Sequence, residues 1–131
     1  MSFDMFVQGF AGGNAAPMPS SAFDVFRCHV DHVKPEFGFW HLRTPDGGDA
    51  TIYADVTPET FEGLMITHFS DGDPVDLLAE FAVLANGVIL APGCPAMLTA
   101  EAQREHLPDD FPFDLIIVRN GDDIRQVLRT R

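Results

Sequence analysis

The sequence predicts an α+β fold: a largely antiparallel sheet containing a β-meander, with helices packed on one face. Three observations carry that expectation. Residues 37–56 hold two β-prone runs, FGFWHLRT and ATIYADV, joined by PDGGD, whose Gly47 and Gly48 tolerate positive φ, as a hairpin turn requires. Residues 71–87 read as a helix marked at both ends. The remaining helical segments are interspersed with strands joined by hairpins, and one domain spanning 1–131 accommodates them all.

Each element has a local reason. In FDMFVQGF (3–10), Phe3, Met5 and Val7 alternate with Asp4, Phe6 and Gln8, which predicts a first strand with one face buried. AGGNAAPMPSS then gathers Gly, Asn, Pro and Ser and reads as a loop. Phe23, Phe26, Val30 and Val33 recur at three- and four-residue spacing between a capping Ser20 or Ser21 and Pro35, which predicts an amphipathic helix over about 21–33. Across the hairpin, Phe37, Phe39, His41 and Arg43 alternate with Trp40 and Leu42. Trp40, Phe37 and Phe39 are read as core aromatics. GLMITHF (63–69) is expected to add a third strand to the meander.

The helix that follows has Asp73 at its cap, Pro74 at its first position, Asp76 three after the cap, and Asn86-Gly87 at its close. Acids in its first turn face the positive end of the helix dipole. VILAP (88–92) is expected as a short buried strand, residues 100–107 as a short helix stopped by Pro108, and FDLIIV (113–118) as a last strand. GDDIRQVLRTR closes the chain as a helix with acids at its start and arginines at its end.

Composition bounds the function. The 131 residues are 46% hydrophobic, with 12 Phe, enough apolar surface to oppose chain entropy. Twenty Asp and Glu against 8 Lys and Arg give a net charge of −12, which argues against nucleic acid and anionic membranes as partners. The surplus is concentrated: residues 44–118 carry fourteen acids and one base, Arg104. Such a surface accelerates association with a basic partner in a salt-dependent way. Cys28 and Cys94 lie far apart with no CxxC, no run is apolar enough to span a bilayer, and the N-terminal residues do not make a secretory signal. A cytosolic location is the expectation.

Catalytic signals are weak. His29 and His32, flanking Asp31, fall on one face of the expected first helix and suggest a metal pair, but no third ligand is identifiable. His41, His68 and His106 are read as packing or hydrogen-bonding groups. Cys28 is read as a packed small residue of that helix, and Cys94 in PGCP as exposed. Asp71 to Asp73 (DGD) lack the later oxygen ligands of a calcium loop and are read as helix-start residues. AGG (11–13) has no following Lys-Ser or Lys-Thr and is no phosphate loop. No cofactor is implied.

The start MSFD-x-F-x-Q-x-F, the hairpin WHLRTPDGGDATIY and the turn VILAPG together resemble a group of small acidic bacterial proteins, over most of the chain. It departs from that pattern at PGCP (92–95), where glycines are commoner. Members of such groups are similar to immunity proteins that accompany secreted toxins. The resemblance implies a cytosolic protein that binds and neutralises a cognate toxin, and it supplies no catalytic residue. On that expectation carboxylates on rigid turns, Asp46 and Asp49, Asp71 and Asp73, and Asp109 and Asp110, occupy a basic active-site cleft of the toxin. The alternatives are a metal-binding protein or enzyme using His29 and His32, and a non-catalytic adaptor or scaffold.

Overall fold

The computed structural model describes residues 4–70 and 72–130. The first strand, β1 (Met5–Ala11), lies at the centre of a nine-stranded sheet and alternates as its period of two requires, with Met5 and Val7 buried and Phe6 turned outward. Phe3 and Asp71 lie outside the described residues. The expected loop after β1 is in fact a hairpin. Gly12 and Gly13 take positive φ, and β2 (Asn14–Ala16) folds back onto the end of β1. A two-residue strand, β3 (Met18–Pro19), then pairs with β7 (Thr60–Phe61) in a small separate sheet.

The helix expected over 21–33 exists only in its first half. Ser20–Phe23 form a 3-10 turn that continues into α1 (Asp24–Arg27), while Val30–Lys34 are an edge strand, β4, paired with β5 (Phe39–Arg43). The cause of the misreading is a β-bulge. Register shifts between Val30 and His32, so Val30 and Val33 face the same side as their partners Leu42 and Trp40 although three residues separate them. A spacing of three on one face therefore arises here from a bulged strand, not a helix. Phe23 and Phe26, inside the helical half, are fully buried.

The hairpin β5–β6 (Asp49–Ala54) forms as expected, and β8 (Gly63–Thr67) extends it antiparallel and also pairs with β1. On the other side of β1 stand β9 (Gly87–Leu90), β10 (Ala96–Leu98) and β11 (Leu115–Ile117). The order is β11-β10-β9-β1-β8-β6-β5-β4, antiparallel throughout except for β10 with β11. The strand β10 was not anticipated. It follows the proline-rich PGCP turn at once and is only three residues long. The helix expected at 100–107 is a 3-10 helix over Glu101–His106.

Helix α2 (Asp73–Ala85) and helix α3 (Gly121–Arg129) match their sequence signals closely. Asn86 takes a left-handed conformation at the end of α2. Asn120 Oδ1 accepts the Asp123 amide at 3.0 Å to start α3. All three helices lie on one side of the sheet. Phe26 of α1, Leu78, Phe81 and Ala82 of α2, and Ile124 and Val127 of α3 share a single buried cluster with Met5, Val7, Ile52, Ile66, Ile89 and Met97. The opposite side is covered at one end only. There Leu107 and Phe111, from the segment that follows the 3-10 helix, pack on Val88, Ala96, Leu98 and Phe10.

Candidate partner-binding surface

The turn acids expected to meet a partner occupy two separate places. Asp46, in the β5–β6 turn, is tied into the fold: it accepts from Thr44 Oγ1 at 2.6 Å, the Gly48 amide at 2.9 Å and, through Oδ2, the Asp73 amide at 3.0 Å. These donors, Thr44 foremost, hold its carboxyl below the ordinary carboxylate value. The cap expected from Asp73 is thus supplied by Asp46 across the hairpin, Gly72 stands at the cap position and Asp73 is the first helical residue. Asp49 is held by Ser70, whose Oγ accepts the Asp49 amide at 2.7 Å and donates back to its carbonyl at 3.1 Å. Asp46, Asp49 and Asp73 are therefore gathered where the hairpin meets α2. Asp109 and Asp110 stand apart, exposed in the turn before Phe111.

Arginines are largely engaged within the chain. Arg27 pairs with Asp24, Arg43 with Asp31, Arg104 with Glu101, Arg119 with Asp123, and Arg125 with Asp76 and Asp122. Asp55, Glu59, Glu62, Glu80, Asp109, Asp110 and Asp114 have no ion pair among the described residues. Because five of the eight bases are spent on local pairs, the surplus negative charge stays on the surface.

A second feature had no counterpart in the sequence reading. On the face of the sheet away from the helices, strand register aligns Leu90, Phe6, Met65, Tyr53 and Phe39 in one row across β9, β1, β8, β6 and β5. Phe6 is 43% and Tyr53 38% exposed. Three depressions, of about 260, 450 and 400 Å³, follow this row from Leu90 to Tyr53 and then turn towards Pro35–Gly38. The first two share Phe6 and Leu90, and the last two share Tyr53 and Gly63, so they form one continuous trough. Phe113 (47% exposed) stands at one end and Phe37 (71%) at the other. The expected core role of the hairpin aromatics thus holds for Trp40 alone, which packs on the core and donates Nε1–H to the Ala54 carbonyl at 3.1 Å. Phe39 shares its strand but has the opposite parity, and Phe37 precedes the strand in a 3-10 turn. Alternation would have shown that Phe6, Tyr53 and Phe39 each face away from their buried neighbours, but not that register brings them into line.

The histidine pair also dissolves. His29 sits in the turn after α1 and His32 on strand β4, so the helical face that made them metal-ligand candidates does not exist. His32 meets the Phe39 ring edge-on at 6.0 Å and lies opposite His41. His41 is placed between two carboxylates, with Nδ1 2.6 Å from Asp31 and Nε2 3.6 Å from Asp49. That contact with His41 is the main cause holding the Asp31 carboxyl below its ordinary value. Among the described residues no group of three or more His, Cys, Asp or Glu is arranged to hold a metal ion. The two cysteines reverse their expected places: Cys28 is exposed, because α1 ends at Arg27, and Cys94 is buried as the PGCP turn folds inward. His106 accepts the Gly12 amide through Nδ1 at 3.2 Å, a structural role.

Among the described residues no helix is long and apolar enough to cross a membrane. No family model matches the chain, and no curated protein or solved structure is significantly similar to it.

Proposed function

We propose that this chain is an immunity protein of the cytosol that binds a cognate secreted toxin and blocks it, acting by recognition and not by turnover. The observation that carries this reading is the acidic surface: with five arginines held in local ion pairs, a chain of net charge −12 presents unpaired carboxylates to solvent. A basic active-site cleft is the complementary surface, and rim charges of this kind act mainly on the rate of association. Within the expected set, Asp109 and Asp110 are exposed and have no ion pair among the described residues. Asp46 is already committed to three intramolecular donors and contributes by fixing the turn that displays Asp49.

The test is co-expression with the product of the adjacent gene. Co-purification, growth protection of cells expressing that product, and an association rate that falls steeply with salt support the reading. A stable adjacent product that neither binds nor is neutralised overturns it.

The scaffold alternative has one observation in its favour, the exposed apolar row, which in a self-interface would be buried. Sedimentation velocity separates the two, because a toxin-binding monomer and a self-assembling scaffold differ in mass at the same loading concentration.

A further inference from the structure

We propose that the trough on the outer face of the sheet is a docking site for a basic amphipathic segment of a partner protein. The inference rests on the reading of this chain as a protein-binding module and specifies which face binds and what it takes.

Three features point to that occupant. The trough is apolar from Phe113 past Leu90, Phe6 and Met65 to Tyr53, and turns polar towards Phe37, where Glu36 and Asp55 line it. From Leu90 on β9 to Tyr53 on β6 it spans three inter-strand steps, roughly 14 Å at about 4.8 Å per step, which holds a helical stretch of about 10 residues before its end at Phe37 is counted. It runs across the strands, so a ligand is held by side chains and not by added backbone pairing; this is the groove mode used for amphipathic helices. Second, the covering layer stops short. The loop carrying Leu107 and Phe111 shields the β9–β11 end of this face and leaves the β1–β8–β6–β5 stretch open.

Third, charge selects the occupant. Glu36 and Asp55 line the trough at its Phe37 end, among the described residues no basic side chain lines any part of it, and Lys34 stands beyond its edge opposite Phe39. A second copy of this chain would bring another acidic surface against these carboxylates, whereas Lys and Arg flanking an apolar stripe would pair with them.

The probe is a helical peptide of about 14 residues with Leu on one face and Lys on the other, against a counterpart with Glu in place of Lys. Each is titrated into the full isotope-labelled chain and followed by amide chemical shifts. The Lys peptide is expected to move the resonances of Phe6, Tyr53, Gly63, Met65 and Leu90, and the Glu peptide to leave them in place. Phe6→Asp and Tyr53→Asp should each weaken binding by about tenfold or more, as loss of a buried anchor does. The paired change Glu101→Gln with Glu105→Gln, which removes charge away from the trough, should alter it by no more than about twofold at physiological salt.

Shifts centred on the turns at 46–49 or 109–110, or equal binding of both peptides, overturn the proposal without any variant having to fold. So does a concentration-dependent dimer abolished by Phe6→Asp, which would make a second copy the occupant. A toxin retained at full strength by both Asp variants removes the trough while leaving the toxin-binding reading intact. Failure of the adjacent gene product to bind, with the peptide shifts as expected, does the reverse.

Discussion

Asp46 caps a helix to which it does not belong: its Oδ2 accepts the amide hydrogen of Asp73, 27 residues further on, at 3.0 Å. The same carboxylate holds its own turn together through Thr44 and Gly48, so one side chain fixes both the hairpin tip and the start of α2. A negative group at a helix N-terminus also meets the favourable end of the dipole. Asp46→Ala removes all three acceptor contacts and is expected to lower the thermal midpoint by about 3–6 °C, the scale of a lost helix cap. Asp46→Asn keeps one acceptor oxygen and should cost less. Thermal unfolding followed by circular dichroism of both variants checks the order.

Acid should weaken the fold through three carboxylates. Asp31, Asp46 and Asp123 all lie below the ordinary value of 3.8, held there first by His41, by Thr44 and by the Arg119 amide respectively. Their folded values are lower than their unfolded ones, so the stability they contribute is present in full above the unfolded value and is lost as pH falls through the folded values. Denaturant midpoints should be flat from about pH 7 to about pH 5 and decline below about pH 4. Asp46→Ala should make that decline shallower; an unchanged slope would count against Asp46 as a source of it.

Gln103 is a buried polar residue with four hydrogen bonds. It accepts the amides of Thr99 and Ala100 at 2.7 and 3.2 Å, and it donates to Asn86 Oδ1 and the Gly87 carbonyl at 3.1 and 3.2 Å. It thereby joins the 3-10 helix to the junction of α2 and β9. Gln103→Leu keeps the volume and orphans these partners, which should reduce unfolding free energy by about 2–4 kcal/mol. Chemical denaturation measures it, and a change under about 0.5 kcal/mol would mean that water or relaxed backbone satisfies them.

Phe81 sits at the centre of the aromatic core, its ring 5.0 Å from Phe26 and 5.9 Å from Phe61, and it is fully buried. Phe81→Ala should cost about 3–5 kcal/mol, from lost transfer energy and the cavity left behind. Phe37→Ala, at a ring 71% exposed, should change stability by under about 0.5 kcal/mol. Urea unfolding of the two variants, read by the emission of Trp40 as the single tryptophan, separates core from surface phenylalanine.

Legibility in the sequence followed the range of the interaction that decides each element. Pro74 and Asn86 at the two ends of α2, and Asp122 and Asp123 in the first turn of α3, are signals that act within one helix, so α2 and α3 could be bounded locally. The meander was legible because PDGGD sets its own turn and the strands alternate. The segment after α1 was not. Its Val30 and Val33 spacing suits a helix, and only pairing with Leu42 and Trp40 across a bulge makes it a strand. Asp46, Asp109 and Asp110 stand in turns as expected, whereas Asp49 opens β6 and Asp73 opens α2, and that Asp46 is spent internally depends on a residue 27 positions away.

The sequence by itself determined the class of fold, the long helices and the hairpin, and the surplus of negative charge, because propensity, alternation, caps and charge count are properties of residues and their near neighbours. Tertiary structure alone decided which face of the sheet the helices cover and that Leu90, Phe6, Met65, Tyr53 and Phe39 fall in line on the other. That alignment is a matter of register between strands distant in the chain, and a shift of one residue in any of them would turn its side chain to the opposite face.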